Sequence, residues 1–473
     1  MSLMLAPASD GRVRAGLAAL KGALLADSIE ARTRRAAGLS VLARIANAAI
    51  TLTTHVMLAR LLGAAGFGLF SMAVTWVLVL LGLATAGLAM APQRFQPEYE
   101  ARDAHGLLTG LYRWSHLVPL LAGAAIVLAG LGVVHLMPLG ISPEARLVLS
   151  LALLALPALA LIDVVEGFAM VNEWTDLAQG VTFLLKPLLL PLLFLAGWLA
   201  GSDLLMVALG AYVASTWLAA LVLVVLLGRR MAPKLAGTVA CAEPRRWAAL
   251  ALPAMLADAA FLIMAYADVL VLSAFASPAD TGVYVAATRI VGVVAFVHFG
   301  LSYAAAHHFS ALNAEGRLDE LVCYARKAAL WTFWPSLLFG ALVALAAPLL
   351  LPVFGPGFGA GAGVVPVLVL ALLVRAAIGP SEQLLMMTNH QTVVTGIFAL
   401  AASVNLVVSV LLAPLLGAMG VALAMLAASV VAAAGSAIAV RRAFGSFVHA
   451  FHRLSYRRPA SPRPASTSPD PVP

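Results

Sequence analysis

The fold class is decided by residues 58–99, which read LARLLGAAGFGLFSMAVTWVLVLLGLATAGLAMAPQRFQPEY. They contain the end of one apolar segment, a short loop at Gly63–Gly66 without Lys or Arg, a second apolar segment over 66–91, and a polar end that carries Arg94. A helix of about 20 apolar residues is long enough to cross the hydrocarbon of a bilayer. The stretch therefore predicts a helical hairpin that crosses a membrane twice.

The same pattern continues on both sides of this hairpin. The 473 residues are 63% hydrophobic and 11% charged, with a mean hydropathy of +1.00, whereas a soluble domain is about half apolar and a quarter charged. We predict an all-α polytopic membrane protein with about 12 transmembrane helices. The predicted spans are 39–61, 66–91, 115–137, 145–168, 176–200, 204–228, 247–275, 282–305, 328–351, 364–387, 393–414 and 418–440.

Lys and Arg are concentrated in alternate connections between these spans. The connections that carry them hold Arg94, Arg102 and Arg113, then Arg229, Arg230, Lys234, Arg245 and Arg246, then Arg317, Arg326 and Lys327. The positive-inside rule therefore predicts that both termini are cytoplasmic. The net charge of +8 is explained by these topology-setting residues and by anionic lipid headgroups, so no nucleic-acid partner is predicted.

The two halves of the membrane region resemble each other. GAAGFGLF at 63–70 aligns with SPADTGVY at 277–284, which places Gly68 on Gly282 and Phe70 on Tyr284. We interpret this as two six-helix pseudo-repeats, an N-terminal lobe over 39–235 and a C-terminal lobe over 236–445. A basic amphipathic segment over 1–38 would lie on the membrane surface, and a disordered Pro/Ser-rich tail would occupy 446–473. Repeats facing each other are how many transporters build alternating access.

Ionisable residues inside a membrane are costly, so we expect them to face a cavity or a partner. The candidates are Arg44, His55, Asp163, Glu166, Lys186, Asp258, Asp268, Arg289, Arg375 and Glu382. An excess of cations indicates an anionic substrate, because guanidinium groups bind phosphate oxygens in a bidentate fork. The substrate-binding prediction comprises Arg44, Lys186, Arg289 and Arg375. His55, Asp258 and Asp268 are candidates for ion or proton coupling or for ion pairing.

Structural explanations for these residues stay open at this point. Arg44 can snorkel to the headgroups, and His55 can be a packing residue. Asp268 and Arg289 are predicted at one depth and can form a structural ion pair, while Asp258 can be protonated and silent. Glu166 and Glu382 fall near the ends of their spans and can be interfacial.

The motifs of several other protein classes are missing. There is no GxxxxGK[ST] motif for ATP, no His/Cys/Asp cluster with metal spacing, and no outer loop long enough for an active site. We therefore predict no enzyme, no cofactor and no metal. Energy would come from an ion gradient, the membrane potential or the substrate gradient.

The elements LARLLG, GFGLF and RFQPEY within residues 58–99 resemble the N-terminal signature of the polysaccharide-transporter family. That family comprises lipid-linked oligosaccharide flippases, of O-antigen type, within the multidrug/oligosaccharidyl-lipid/polysaccharide (MOP) exporter superfamily. ADTGVYVAATRI at 279–290 resembles the same family's corner between helices 7 and 8.

The resemblance implies a V-shaped protein of the bacterial inner membrane, with two six-helix lobes around a cationic cavity. It implies translocation of an undecaprenyl-pyrophosphate-linked glycan for O-antigen, capsule or exopolysaccharide biosynthesis. It further implies that Arg44, Arg289 and Arg375 hold the pyrophosphate. Membrane lipids, a polysaccharide polymerase and glycosyltransferases are its implied partners.

Three alternative functions are weighed against this one. A cation-coupled, multidrug-type exporter would have a more acidic cavity than the net basic one predicted here. A flippase for a peptidoglycan lipid precursor is a close relative that the same features allow. A membrane glycan polymerase or ligase would need a large outer loop with catalytic Arg or His.

Overall fold

The architecture is all-α. A computed structural model of the chain describes residues 29–137, 140–201 and 203–451, and this described part is built from helices and turns without a β-strand. The predicted fold class is therefore confirmed. The predicted surface segment over 1–38 lies outside the described residues as far as residue 28, and the Pro/Ser-rich tail does so from residue 452.

The quoted hairpin is visible in the first helical stretch, Ile29–Ala84, which is broken at Gly63. Gly63 has φ 70° and ψ 176°, a conformation that glycine adopts without the steric cost of a Cβ. The break separates helix α1, before Gly63, from helix α2, after it. The loop glycine of the sequence pattern is therefore the residue that turns the chain.

Fourteen further helices follow in chain order. They are α3 (Ala91–Ala101), α4 (His105–Leu136), α5 (Pro143–Leu153), α6 (Leu156–Val171), α7 (Thr175–Gln179), α8 (Lys186–Leu199), α9 (Leu204–Leu235), α10 (Pro244–Phe275), α11 (Pro278–Ala314), α12 (Leu318–Leu350), α13 (Val364–Ala377), α14 (Ser381–Met387), α15 (Gln391–Leu416) and α16 (Ala418–Phe444). A π-helical turn, Gly180–Leu185, joins α7 to α8.

Among the described residues, 11 helical spans are long and apolar enough to cross a membrane. One of them, Leu42–Ala84, has 43 residues, about twice the length that one crossing needs. The break at Gly63 divides it into two crossings, in agreement with the predicted count.

Large apolar side chains cover the outer faces of these helices. On α4, Leu117, Leu121 and Leu128 are 55%, 59% and 71% exposed, and their spacing places them on one face of the helix. An exposed leucine stripe of this kind is unfavourable in water and favourable against lipid tails. The exposure pattern therefore agrees with a membrane location.

The chain divides into two compact units. The first contains the described residues up to Gly292, with Val343–Leu368 and Ala402–Ala427. The second contains Val293–Leu342, Val369–Ala401 and the described residues from Ala428 onward. The predicted lobes over 39–235 and 236–445 stay a prediction.

A core of the first unit forms where α3, α4, α6, α9 and α10 meet. Phe168, Leu108, Leu223 and Trp247 are fully buried there, and Tyr99 is 1% exposed. Between helices in a membrane, such side chains stabilise mainly through close van der Waals packing. This core fixes α3, the helix formed by the conspicuous RFQPEY motif, against four longer helices.

The second unit has its own core. Phe309, Leu321, Leu384 and Val440 are fully buried in it. The chain beyond α16 packs there too, because Val448 is 1% exposed. The start of the predicted tail therefore belongs to a packed unit.

Candidate functional site

The predicted polar stripe on α1 is linked by hydrogen bonds. The Nδ1 atom of His55 lies 2.7 Å from the carbonyl oxygen of Thr51, and the Thr51 hydroxyl donates to Asn47 Oδ1 at 3.2 Å. The Arg44 side chain is exposed, and its guanidinium lies 5.2 Å from the ring centre of Phe183, in the π-helical turn. Arg44 therefore meets an aromatic face, and it forms no ion pair with a described residue.

Lys186 is the first residue of α8, directly after the π-helical turn. Wide turns of this type interrupt the regular hydrogen-bond ladder and often mark functional positions. The Lys186 side chain is half-buried and interacts electrostatically with Asp163 of α6. No described carboxylate is close enough to form an ion pair with it.

Asp268 of α10 is satisfied by local hydrogen bonds. Its Oδ2 accepts from the Tyr284 hydroxyl at 2.8 Å, and its Oδ1 accepts from the Val269 amide at 2.8 Å. Arg289 of α11 interacts with Asp268 electrostatically, without a direct contact. The two residues predicted at one depth are therefore neighbours, and the hydrogen-bond partner of Asp268 is Tyr284.

Arg375 lies in the second unit, where it pairs with Glu382. Its Nη2 atom lies 2.9 Å from Oε1 and 2.8 Å from Oε2 of Glu382. The rings of Phe299 and Phe398 lie near the guanidinium, and each ring centre is 5.7 Å from Arg375 Cζ. The ion pair spans the break between α13 and α14, so Glu382 neutralises the charge that the sequence analysis assigned to substrate.

Three carboxylates of the first unit line a cavity of about 350 Å³. Asp163 and Glu166 come from α6, and Asp258 comes from α10. Glu166 is 8% exposed, and Thr182 donates to its Oε2 atom at 2.7 Å. Glu166 is therefore part of a buried polar site, although its place near the end of a span gave it an interfacial interpretation.

Helix α3 carries a polar network that the sequence analysis missed. Arg246 donates to Glu98 at 2.5 Å and to Glu243 at 3.1 Å. The Tyr99 hydroxyl donates to Glu243 at 3.0 Å and accepts from the Trp247 indole at 2.8 Å. The motif RFQPEY therefore holds the start of α10 through side chains. The available signal was an acidic and aromatic motif and a basic pair, Arg245–Arg246, both predicted on the cytoplasmic side.

Two carboxylates of this network have altered pKa values. The hydrogen bond and positive charge of Arg246, with the charge of Arg102, lower the pKa of Glu98. Burial raises the pKa of Glu100, but hydrogen bonds from Lys234 and Gln96 outweigh it, so that its pKa is lowered. Both carboxylates are therefore held in the charged form that the ion pairs require.

Three cations of the first unit are near carboxylates without forming an ion pair with them. Arg44, Lys186 and Arg289 lie within membrane spans without an ion-pair partner among the described residues. The carboxylates Asp163 and Asp258 line the cavity instead. Such a unit can bind a molecule that has both an anionic and an uncharged polar part.

A comparison with protein families finds a match. A sequence model described as polysaccharide biosynthesis protein matches residues 34–307, which is more than half of the 473 residues. The comparison with curated proteins finds no match.

Solved structures share the fold. A lipid II flippase, MurJ, in an inward closed conformation superposes with a TM-score of 0.67 at 12% identity, over 85% of this chain and 87% of that one. An inward-facing MATE-family multidrug resistance transporter of the MOP superfamily gives 0.67 at 16% identity, over 84% and 94%. A MOP superfamily transporter from Pyrococcus furiosus, described as having a binding pocket of reverse polarity, gives 0.55 at 15% identity, over 85% and 95%.

Proposed function

The chain belongs to the polysaccharide biosynthesis protein family, and from this membership we propose that it is a flippase for a polyprenyl-pyrophosphate-linked oligosaccharide. It would move this lipid from the cytoplasmic to the periplasmic leaflet by alternating access, for biosynthesis of O-antigen, capsule or exopolysaccharide. The MOP fold supports a transporter rather than an enzyme.

The observation that carries the proposal is the set of cations without ion-pair partners in the first unit. Burying a charge in a membrane is expensive, so Arg44, Lys186 and Arg289 need a function or a partner. Among the described residues they form no ion pair with a carboxylate. A pyrophosphate supplies several anionic oxygens at once, and guanidinium groups bind such oxygens in a bidentate fork.

Arg375 enters the proposal differently from the other three cations. Its bidentate pair with Glu382 keeps the guanidinium oriented, and a pyrophosphate can compete with Glu382 for it. His55, Asp258 and Asp268 stay candidates for ion or proton coupling. Of these three, Asp268 is the weakest candidate, because its carboxylate already accepts hydrogen bonds from Tyr284 and from the Val269 amide.

The proposed location is the bacterial inner membrane, with both termini in the cytoplasm. The alternation of Lys- and Arg-rich connections supports this orientation. Helix α3 and its network with Arg246 would then lie at the cytoplasmic surface. A polysaccharide polymerase and glycosyltransferases are the proposed partners, since they act before and after translocation.

A specific observation favours a second function. The cavity lined by Asp163, Glu166 and Asp258 could attract an organic cation, as in a cation-coupled exporter. A flippase for a peptidoglycan precursor is the third possibility, because a lipid II flippase has the same fold. The identity of the transported molecule separates these three functions.

The test is deletion of the gene in its host, with extraction of lipid-linked sugars and a leaflet-accessibility assay. Accumulation of a completed polyprenyl-pyrophosphate glycan on the cytoplasmic face is the expected result. Accumulation of a peptidoglycan precursor would instead identify that precursor as the transported lipid. An unchanged lipid pool with intact surface glycan would overturn the flippase function and favour the small-molecule exporter.

A further inference from the structure

The cavity of the first unit combines an exposed aromatic ring with several hydrogen-bond acceptors. Its wall contains Phe261, which is 67% exposed, together with Asp163, Glu166, Asp258 and Gln93. Apolar side chains complete the lining, among them Leu81, Met90, Met170 and Leu262. Cavities of about 300–1,000 Å³ with an apolar lining and a few polar groups are typical small-molecule sites, and this one measures about 350 Å³.

Two glycines create the cavity walls. A methyl group at Gly82 of α2 would lie 2.6 Å from the Cα atom of Ala259, so α2 and α10 are in backbone contact. A methyl group at Gly167 of α6 would lie 3.2 Å from the Ala89 carbonyl oxygen. These close approaches place the carboxylates of α6 and the ring of Phe261 around one space.

One carboxylate in the wall is mostly buried and has one oxygen that can accept from a ligand. Glu166 is 8% exposed, and Thr182 donates to its Oε2 atom. No hydrogen bond to its Oε1 atom is found among the described residues, and this atom is accessible rather than buried. An accessible carboxylate oxygen in a cavity wall can accept hydrogen bonds from a ligand, so a ligand with hydroxyl or amine donors would be favoured here.

The arrangement does not fit a single metal ion. Among the described residues, no three His, Cys, Asp or Glu side chains are close enough to hold one. The acceptors therefore surround a space wider than an ion. A sugar ring matches this geometry, because its hydroxyls donate to carboxylates and its C–H face packs on the face of an aromatic ring.

We propose that this cavity is a subsite for one sugar residue of the transported glycan, and that it selects a sugar without negative charge, with amino sugars preferred. The inference rests on the proposed flippase function for its physiological ligand. The carboxylates repel a pyrophosphate and a uronic acid, and they favour an ammonium group on the ring. The lipid pyrophosphate would then bind the cations Arg44, Lys186 and Arg289 instead.

The test is saturation-transfer difference NMR on the purified full chain in nanodiscs, with glucosamine, glucose and glucuronate as probes. We expect signals for glucosamine and glucose and none for glucuronate. Phe261→Ala should weaken binding about three- to tenfold through loss of the aromatic face. Phe275→Ala is the matched control, because Phe275 is 51% exposed on the same helix but lies outside the cavity, and it should bind as the wild type does.

Three outcomes would overturn the subsite: no signal with glucosamine or glucose, equal signals in wild type and Phe261→Ala, or a glucuronate signal as strong as that of glucosamine. Tighter binding of tetraphenylphosphonium than of glucosamine, lost in Phe261→Ala, would also overturn it and assign the cavity to organic cations. The binding assay does not depend on transport. Sugar binding without lipid accumulation in the deletion strain would therefore refute only the flippase function.

Discussion

Gly68 and Gly282 lie against each other, and a side chain on either would collide with the backbone beside the other. A methyl group at Gly68 would overlap the Pro278 carbonyl oxygen and lie 2.9 Å from the Gly282 nitrogen. A methyl group at Gly282 would overlap the Ala64 carbonyl oxygen and lie 3.0 Å from the Gly68 nitrogen. The contact is reciprocal, as expected where two equivalent elements meet about a twofold axis. The residues that the sequence repeat aligns are therefore also partners in space.

We predict that Gly68→Ala destabilises the protein, because the backbones of α2 and α11 must separate to admit the methyl group. Overpacking of this kind costs about 1–3 kcal/mol. Thermal unfolding in detergent, followed by tryptophan fluorescence, should show a lower midpoint for Gly68→Ala. By the reciprocity of the contact, Gly282→Ala should show a similar loss.

The matched control is Gly210→Ala in α9. A methyl group at Gly210 would meet no atom within 4 Å, and alanine is the better helix former. This variant should be as stable as the wild type or more stable. Equal unfolding midpoints for Gly68→Ala and Gly210→Ala would show that the contact between Gly68 and Gly282 is not close-packed.

The hydrogen bond between Tyr284 and Asp268 gives a second prediction. Both side chains are buried, and Asp268 Oδ2 has the Tyr284 hydroxyl at 2.8 Å. Tyr284→Phe should therefore lower the free energy of unfolding by about 1–3 kcal/mol, the cost of leaving a buried polar group unsatisfied.

Tyr212→Phe is the control for this pair. The Tyr212 hydroxyl is buried and finds no hydrogen-bond partner in the described part of the chain, so its removal should be neutral or stabilising. The same thermal assay compares the two variants. A larger loss in Tyr212→Phe than in Tyr284→Phe would contradict the assignment of Tyr284 as the partner of Asp268.

Helices and the repeat could be predicted because their signals are local or periodic. A long span of apolar residues forms a helix in lipid, because each backbone N–H and C=O group must find its hydrogen bond within the segment. The loop glycines marked the corners, and Gly63 indeed breaks the first helical stretch. Alignment of Gly68 with Gly282 predicted the equivalence of two corners. It could not predict that they touch, because contact depends on how the helices pack.

The partners of individual charges were less predictable, since they lie on other helices. Depth alone placed Asp268 near Arg289, but depth cannot reveal that Tyr284 points at the carboxylate. Position near a span end predicted an interfacial Glu166, and its burial follows from the close approach of α6 to Ala89 and to Pro92 of α3 at Gly167. The hydrogen bond between Glu98 and Arg246 joins residues far apart in sequence, so the periodicity of apolar residues could not predict it.

The α3 network predicts a pH dependence of stability. Arg246 and Arg102 hold the pKa of Glu98 below its ordinary value, which is about 4.3 in an unfolded chain. A carboxylate with a lowered folded-state pKa stabilises the protein above the unfolded pKa, and this stabilisation is lost as the pH falls through the folded pKa. Glu98→Gln should therefore be less stable than wild type near neutral pH.

The difference in unfolding midpoint between wild type and Glu98→Gln should narrow on acidification below about pH 4.3. Glu173→Gln is a suitable control, because Glu173 is exposed and forms no ion pair with a described residue. It should follow the wild type across the whole pH range. A gap between wild type and Glu98→Gln that widens at low pH would refute the ion-pair explanation.

The last prediction separates a binding cation from a structural one. Arg289 is exposed and unpaired among the described residues, whereas Arg375 pairs with Glu382 at 2.8 Å. Arg289→Ala should therefore leave folding unchanged and lower translocation roughly ten- to a hundredfold, the value of a charge-assisted hydrogen bond. Arg289→Lys should restore only part of the activity, because an ammonium lacks the bidentate fork. Surface polysaccharide and unfolding midpoint, measured on the same strains, give the two readouts.

Arg375→Ala should lower both readouts, because it leaves Glu382 without a partner. Reversal of the pair, Arg375→Glu with Glu382→Arg, restores the ion pair but moves the guanidinium to α14. If Arg375 binds substrate, the reversed protein should recover its unfolding midpoint and not its polysaccharide. Recovery of both would make Arg375 a structural residue, and the anionic part of the substrate would then be left to Arg44, Lys186 and Arg289, the cations that form no ion pair with a described carboxylate.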